Sequence, residues 1–197
     1  MTAEQLPVAY PVQFGVDYPQ AERNRLTVAF RIVLVIPALI VLAVLNSTRA
    51  LLFLPPLLLI LFRNKYPRWW FDWNLQLLRF ENRVSSYLLL LRDEYPSTDE
   101  EQAVHLDIGY PDVAAELNRG LPLVKWLLAI PHYIVLAVLG IAVAVLAIIG
   151  WFIVLFTGQL PPWLFDFIVG VLRWSNRVIG YAYILVTDIY PPFRLAP

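Results

Sequence analysis

Apolar residues take every second place from Val12 to Pro19, and again from Val104 to Pro111. A period of two buries one face of the chain and leaves the other open, which predicts a strand at each site. Proline closes both, because it lacks the N–H that a ladder needs. Six of the ten tyrosines precede a proline (Tyr10, Tyr18, Tyr66, Tyr95, Tyr110 and Tyr190), and a residue before proline is pushed towards extended backbone. Past the strands, alternation gives way to apolar blocks, Leu26 to Phe62 and Gly120 to Phe156. As one helix, either block would reach roughly 55 Å, against roughly 30 Å for a bilayer core. The polar run from Asn46 to Ala50 breaks the first block midway, with Gly140 at the matching place in the second. The pattern therefore predicts two membrane hairpins with arms of about 17 residues. Leu127 to Phe156 also fits one long tilted helix, and a shallow hairpin within one leaflet, bent at Pro37 and Pro131, is the third arrangement.

After each block the pattern changes again. Trp69 to Arg83 and Trp163 to Arg177 set arginines and asparagines among Leu, Val and Trp, the pattern of an amphipathic helix lying in the membrane interface. Trp69, Trp70, Trp73, Trp163 and Trp174 are its candidate interfacial anchors, since an indole favours a boundary with one apolar and one wet side. Val84 to Tyr95 and Val178 to Tyr190 then read as extended. With the two alternating segments they would make a four-stranded sheet beneath the membrane; two strands alone are marginal.

The whole order occurs twice. Shifted by 94 residues, Asn24 to Tyr87 falls on Asn118 to Tyr181 without a gap, with 25 of 64 positions identical. Asn24, Arg25, Asp72, Arg79, Asn82 and Arg83 return as Asn118, Arg119, Asp166, Arg173, Asn176 and Arg177, which shared greasiness does not produce. This is a duplicated unit: residues 1–95 with a hairpin at about 26–62, an acidic linker at 96–103, and residues 104–197 with a hairpin at about 121–157. The expected fold class is a membrane α+β protein of two tandem repeats. Each repeat runs strand, transmembrane hairpin, amphipathic interfacial helix, strand.

Composition agrees with a lipid environment. Hydrophobic residues make up 59% of the chain and charged residues 15%, against roughly 45–50% and about 25% in soluble domains; mean hydropathy is +0.63. Fifteen basic residues balance fifteen acidic ones, which gives no footprint for nucleic acid. The chain has no cysteine, so thiolate metal sites and thiol nucleophiles are excluded. The start, Met-Thr-Ala-Glu-Gln, lacks the pattern of a signal peptide. Hairpins would place 14 of the 15 basic residues on one side, all but Arg49 at the first tip, which predicts a multi-pass inner-membrane protein with both termini cytoplasmic.

The motif order resembles a bacterial membrane family catalogued only as domain of unknown function 4389. The resemblance is carried by Leu127-Leu128-Ala129-Ile130-Pro131-His132, Leu155-Phe156-Thr157-Gly158, Leu164-Phe165-Asp166-Phe167, Val169-Gly170-Val171-Leu172-Arg173-Trp174, and Thr187-Asp188-Ile189-Tyr190-Pro191-Pro192-Phe193. The first half carries it more loosely: Pro37-Ala38 stands for Pro131-His132, and Arg63-Asn64 for Thr157-Gly158. The resemblance implies an integral membrane protein and no known activity.

Asp72 precedes Arg79 by seven residues and Arg83 by eleven, and Asp166 stands likewise to Arg173 and Arg177. On a helix these positions return near one face. Two readings follow: a pair of sites for anionic lipid headgroups, with arginine forks on phosphate, or an internal network in which Asn82 and Asn176 satisfy nearby backbone. The second is favoured. His132 follows Pro131 inside an apolar block without a second histidine nearby, so hydrogen bonding is expected of it rather than metal or haem ligation. No nucleophile–base pair, phosphate loop or paired carboxylates appear. No enzyme activity, cofactor or metal is therefore expected. The expected function is that of an accessory subunit or lipid-interacting scaffold, with the bilayer, anionic lipids and other membrane subunits as partners. A transporter or channel component acting as an oligomer is the alternative.

Overall fold

Both alternating segments form strands, and they pair with each other. In the computed structural model, which describes residues 10–47 and 53–197, β1 (Val12–Val16) and β2 (Val104–Ile108) make a two-stranded antiparallel sheet. Phe14 faces Leu106 at its centre, and Val12 faces Ile108. Phe14 and Leu106 are repeat equivalents, 92 residues apart, so a pseudo-two-fold axis runs through this pair.

The helices obey the same axis. The first repeat contains α1 (Arg25–Ala29), α2 (Arg31–Leu34), α3 (Ile36–Ser47), α4 (Leu54–Arg63) and α5 (Arg68–Leu88). The second contains α6 (Val113–Glu116), α7 (Pro122–Leu128), α8 (Ile130–Thr157) and α9 (Pro162–Ile179), the last running into a π-helical turn at Gly180–Ile184. Each strand packs on the long helix of the opposite repeat, β1 on α9 and β2 on α5. The corners are exchanged as well. Tyr18 donates its hydroxyl to the Leu160 carbonyl at 2.6 Å and meets Phe165 edge-on, while Tyr110 donates to the Tyr66 carbonyl and meets Phe71 edge-on. Neither repeat therefore owns its own strand.

The second apolar block departs from the expected hairpin. Residues 130–157 form one continuous helix of 28 residues, about 42 Å long. Gly140 does not break it, because a lone glycine costs only about 1 kcal/mol in a helix that satisfies its own backbone. In the first repeat the equivalent stretch, 36–63, is interrupted. Pro55 and Pro56 open α4, where each lacks an N–H and crowds the preceding turn; Ile149 and Gly150 hold those places in α8. The two pieces touch the symmetry-related neighbours of the two parts of α8: α3 packs on α5 as α8 packs on α9, and α4 reaches α7 as α8 reaches α1. Arg49 and the expected first tip lie outside the described residues.

One further expectation is corrected. Val84–Tyr95 and Val178–Tyr190 are not strands, so the sheet has two strands among the described residues and not four. No turn signal separates Arg83 from Val84, and Val84 and Tyr87, like Val178 and Tyr181, keep the i, i+3 spacing of a buried helical face. The inner faces of α5 and α9 belong to the core. Asn176 and Arg177 are 2% and 3% exposed, and α9 is buried between β1, α8 and the chain's last residues.

The π-turn explains why the ungapped match ends at Tyr87 and Tyr181. Beyond it the repeats stand 95 apart rather than 94: Leu90 and Leu185 both adopt left-handed backbone with φ 65°, and Asp93-Glu94-Tyr95-Pro96 matches Asp188-Ile189-Tyr190-Pro191. A one-residue insertion in a helix is accommodated as a π-bulge. Deleting Tyr183 should convert the turn to α-helix and leave Asp188 in register. Thermal unfolding in detergent should then stay within a few degrees of the parent, whereas deleting Leu172, ahead of Asn176, should abolish cooperative unfolding.

Two buried phenols give a pH test. Tyr10 donates to the Ile189 carbonyl at 3.0 Å and Tyr66 to the Ile184 carbonyl at 2.8 Å, and burial pushes both well above the ordinary tyrosine value of 10.0. The folded state holds these protons after the unfolded chain has lost them. The contribution is complete below about pH 10 and falls as pH rises further. Tm should drop above about pH 10, and Tyr66→Phe should flatten the drop while costing about 1 kcal/mol at neutral pH.

Candidate functional site

On the symmetry axis, Asn82 and Asn176 face each other. Each Nδ2 donates to the other's Oδ1 at 2.8 Å and also to the carbonyl four residues back, Leu78 or Leu172, at 2.8 Å. Both amide N–H groups of both side chains are thereby satisfied where no water reaches. Helical spacing points each asparagine to nearby backbone, and nothing in the sequence signals that the two also pair with each other.

The arginines one turn away close the sheet. A two-stranded sheet leaves a free edge on each side, with unpaired carbonyls. Arg173 Nε donates to the Phe14 carbonyl at 2.9 Å, and Arg79 Nε to the Leu106 carbonyl at 3.0 Å. Arg83 donates to the Ser97 carbonyl, and Arg177 to the carbonyls of Arg194 and Ala196. The expected aspartate partners stand apart. Asp72 pairs with Arg68 at 3.1 Å on the exposed surface, and Asp166 is exposed, acting on Arg173 only through its charge. The spacing argument grouped these residues by helical face, yet the arginines turn inward and the aspartates outward.

The tryptophans also divide. Trp69 and Trp163 are exposed at 67% and 60%, at matching starts of α5 and α9. Trp70 and Trp73 are half-buried. Trp174 is a core residue whose Nε1 donates to His132 Nδ1 at 3.0 Å. An indole can only donate, so His132 is neutral at Nδ1; its ring stacks on Phe193 with centroids 4.0 Å apart. Ala38 and Phe80 stand at the matching places and pack in one apolar cluster. Among the described residues no three His, Asp or Glu side chains converge as metal ligands.

The sequence reading also missed a buried ion pair in each repeat. Arg31 and Lys125 are 1% and 0% exposed. Arg31 pairs with Asp93 and donates to the Tyr87 carbonyl at 2.8 Å; Lys125 pairs with Asp188 at 2.7 Å and donates to the Thr187 carbonyl at 2.8 Å. The second carboxylate oxygen of each aspartate accepts the N–H of Asn24 or Asn118, at 3.1 and 2.6 Å, and Asn24 Oδ1 caps α1. Each repeat is thus closed on itself, second helix to last loop. The available signal was a cation at matched positions inside an apolar block together with a repeated Asp-x-Tyr-Pro.

These partners predict unequal sensitivities. Asp188→Asn leaves a buried ammonium uncompensated and should cost about 3–5 kcal/mol, whereas Asp72→Asn, from an exposed pair, should cost at most about 1 kcal/mol. Asn82→Ala should cost about 1–3 kcal/mol by orphaning Asn176. The double variant with Asn176→Ala should cost less than the two singles summed; denaturant unfolding of the four proteins in the cycle measures the coupling.

The family model described as Domain of unknown function (DUF4389) matches residues 25–98 and 122–194. Each match begins in the first helices of a repeat and ends beyond its Asp-x-Tyr-Pro, so it encloses one closed ion-pair unit. No curated protein and no solved structure matches the chain. The chain belongs to the DUF4389 family and carries two tandem copies of its domain.

Proposed function

We propose that this protein is a membrane structural protein, a lipid-embedded scaffold or accessory subunit whose apolar helices lie along one leaflet. The observation that carries this reading is the outer face of α8. Ile134, Val138, Ile141, Val145, Ile148 and Phe152, spaced four and three apart, are each more than half exposed. Half-exposing such a side chain forgoes roughly 1 kcal/mol. The stripe alone thus forgoes a sum comparable with the roughly 5–15 kcal/mol that holds a domain together. The matching Ile40, Val44, Leu54 and Leu58 are exposed too. An apolar surface of this kind belongs against lipid or another membrane subunit.

The layering supports an in-plane arrangement over a crossing one. Trp174 meets His132, and Leu164 lies 3.2 Å from where a side chain on Gly150 would begin, so α9 runs antiparallel beside α8. Tyr18 meets Phe165 while Val12 meets Gly180, so β1 runs antiparallel beside α9. An upright α8 would therefore bring the sheet to bilayer depth, with exposed Gln13, Asp107 and the His105–Asp17 pair in hydrocarbon, where charge is costly. With α8 along the leaflet, the sheet faces water and Trp69 and Trp163 sit at the boundary. The Asn82–Asn176 contact closes the axis, which weighs against a pore along it.

The cysteine-free chain allows a direct check. Single cysteines at Gln13, Arg119 and Gln159 should react with an impermeant thiol reagent from the same side, in intact cells or in inverted vesicles but not in both. Reaction of Arg119→Cys and Gln159→Cys from opposite sides would replace the in-plane arrangement with a spanning one.

A further inference from the structure

The pseudo-two-fold makes each half a control for the other, and at the sheet edges the halves disagree in charge. Beside β2 lies a pocket of about 590 Å³ containing Arg79 and Arg83. Four carboxylates face them there: Asp17, Glu94, Glu101 and Asp107. Arg79 pairs with Asp107 at 3.3 Å. Burial and then the charge of Arg79 push the Arg83 guanidinium below the ordinary arginine value, and the charges of Asp99 and Glu101 oppose this. Its Nε, like that of Arg177, has no hydrogen-bond partner. Beside β1 lies the related pocket, about 370 Å³, containing Arg173, Arg177 and Arg194, with Asp107 as the one acidic side chain and Pro197 also in its lining. Among the described residues none of these three arginines forms an ion pair. Arg177 is 3% exposed and its Nε has no hydrogen-bond partner. Burial, and then the charges of Arg194 and Arg173, push its guanidinium below the ordinary arginine value.

The cause of the difference is legible residue by residue. The strand position that holds Asp107 in β2 holds Gly15 in β1, and among the described residues no acidic run stands beside β1 as the one supplying Glu101 stands beside β2. One copy neutralises its arginines with its own chain. In the other copy no acidic side chain among the described residues pairs with them, and Arg173 and Arg177 donate instead to the carbonyls of Phe14, Leu195, Arg194 and Ala196.

We propose that the pocket formed by Arg173, Arg177 and Arg194 at the free edge of β1 binds a phosphate or phosphate ester, carried either by an anionic lipid headgroup or by a soluble compound. Arginine forks suit phosphate oxygens, and Arg194, exposed at the rim, supplies the adjustable third cation. The lipid arm rests on the membrane reading above; the soluble arm does not.

The symmetry supplies the decisive variant. Gly15→Asp copies into β1 the carboxylate that β2 already carries, and a side chain there meets nothing within 4 Å. The full chain in neutral detergent micelles is unfolded thermally with inorganic phosphate, with phosphatidylcholine or with phosphatidylglycerol. Inorganic phosphate should raise Tm if the ligand is soluble, and phosphatidylglycerol alone if it is a headgroup. In either case Gly15→Asp should abolish the shift while keeping the unliganded Tm, and Arg194→Gln should weaken apparent affinity about fivefold. Arg79→Gln, in the neutralised copy, should leave the shift in place. Equal shifts in parent and Gly15→Asp, or no shift with either anion, would overturn the proposal, and the latter leaves the membrane reading intact if the chain still requires detergent. A chain that stays folded and monodisperse without detergent, yet responds to phosphate, would retain this site and remove the membrane reading.

Discussion

Two asparagine side chains, buried back to back on a symmetry axis, constrain everything around them. An amide has two N–H groups to satisfy, and in a dry interior each unmet one costs about 1–3 kcal/mol. Asn82 and Asn176 meet the demand only if two copies of the same helix cross at this residue. That crossing places Arg79 and Arg173 over the two edges of the sheet, and the sheet in turn requires one strand from each copy. The duplicated sequence is thus one fold made from two interdependent halves. A single copy would leave an orphaned amide, an unpaired strand and an uncovered strand edge.

Beneath this polar axis each copy is closed separately. Arg31–Asp93 and Lys125–Asp188 join the second helix of each repeat, α2 or α7, to its last loop. Replacing Arg by Lys exchanges a forked donor for a point charge, and the structure accommodates this: Arg31 spreads over the carbonyls of Tyr87 and Arg92 where Lys125 reaches only that of Thr187. The π-turn performs a similar adjustment, absorbing one extra residue so that Asp188 still arrives where Asp93 does.

The duplication, both strands and the apolar blocks were legible because each is a periodicity, and periodicity survives without knowledge of the neighbours. What was not legible depends on partners far away in sequence. The face-to-face asparagines are 94 residues apart, and helical spacing groups Arg79 with Asp72 although the sheet draws one inward and water the other outward. Val84 to Leu88 reads as strand or helix alike from its β-branched and aromatic residues, and the preceding helix decides the matter by propagating into it. Gly140 shows the reverse error: a residue that weakens helices was read as a break, though nothing supplied partners for the backbone groups a break would expose.

The account's central claim is that sheet, core helices and apolar helices are stacked along the axis, with the apolar layer held in one leaflet. Spin labels placed singly at Ile134, Ile141, Ile148 and Phe152 in reconstituted protein would report the depth of each position through collisions with oxygen and with a water-soluble paramagnet. The account predicts nearly equal depths along all four and full water exposure for a label at Gln13. A profile that descends to the bilayer midplane and rises again towards Phe152 would contradict it.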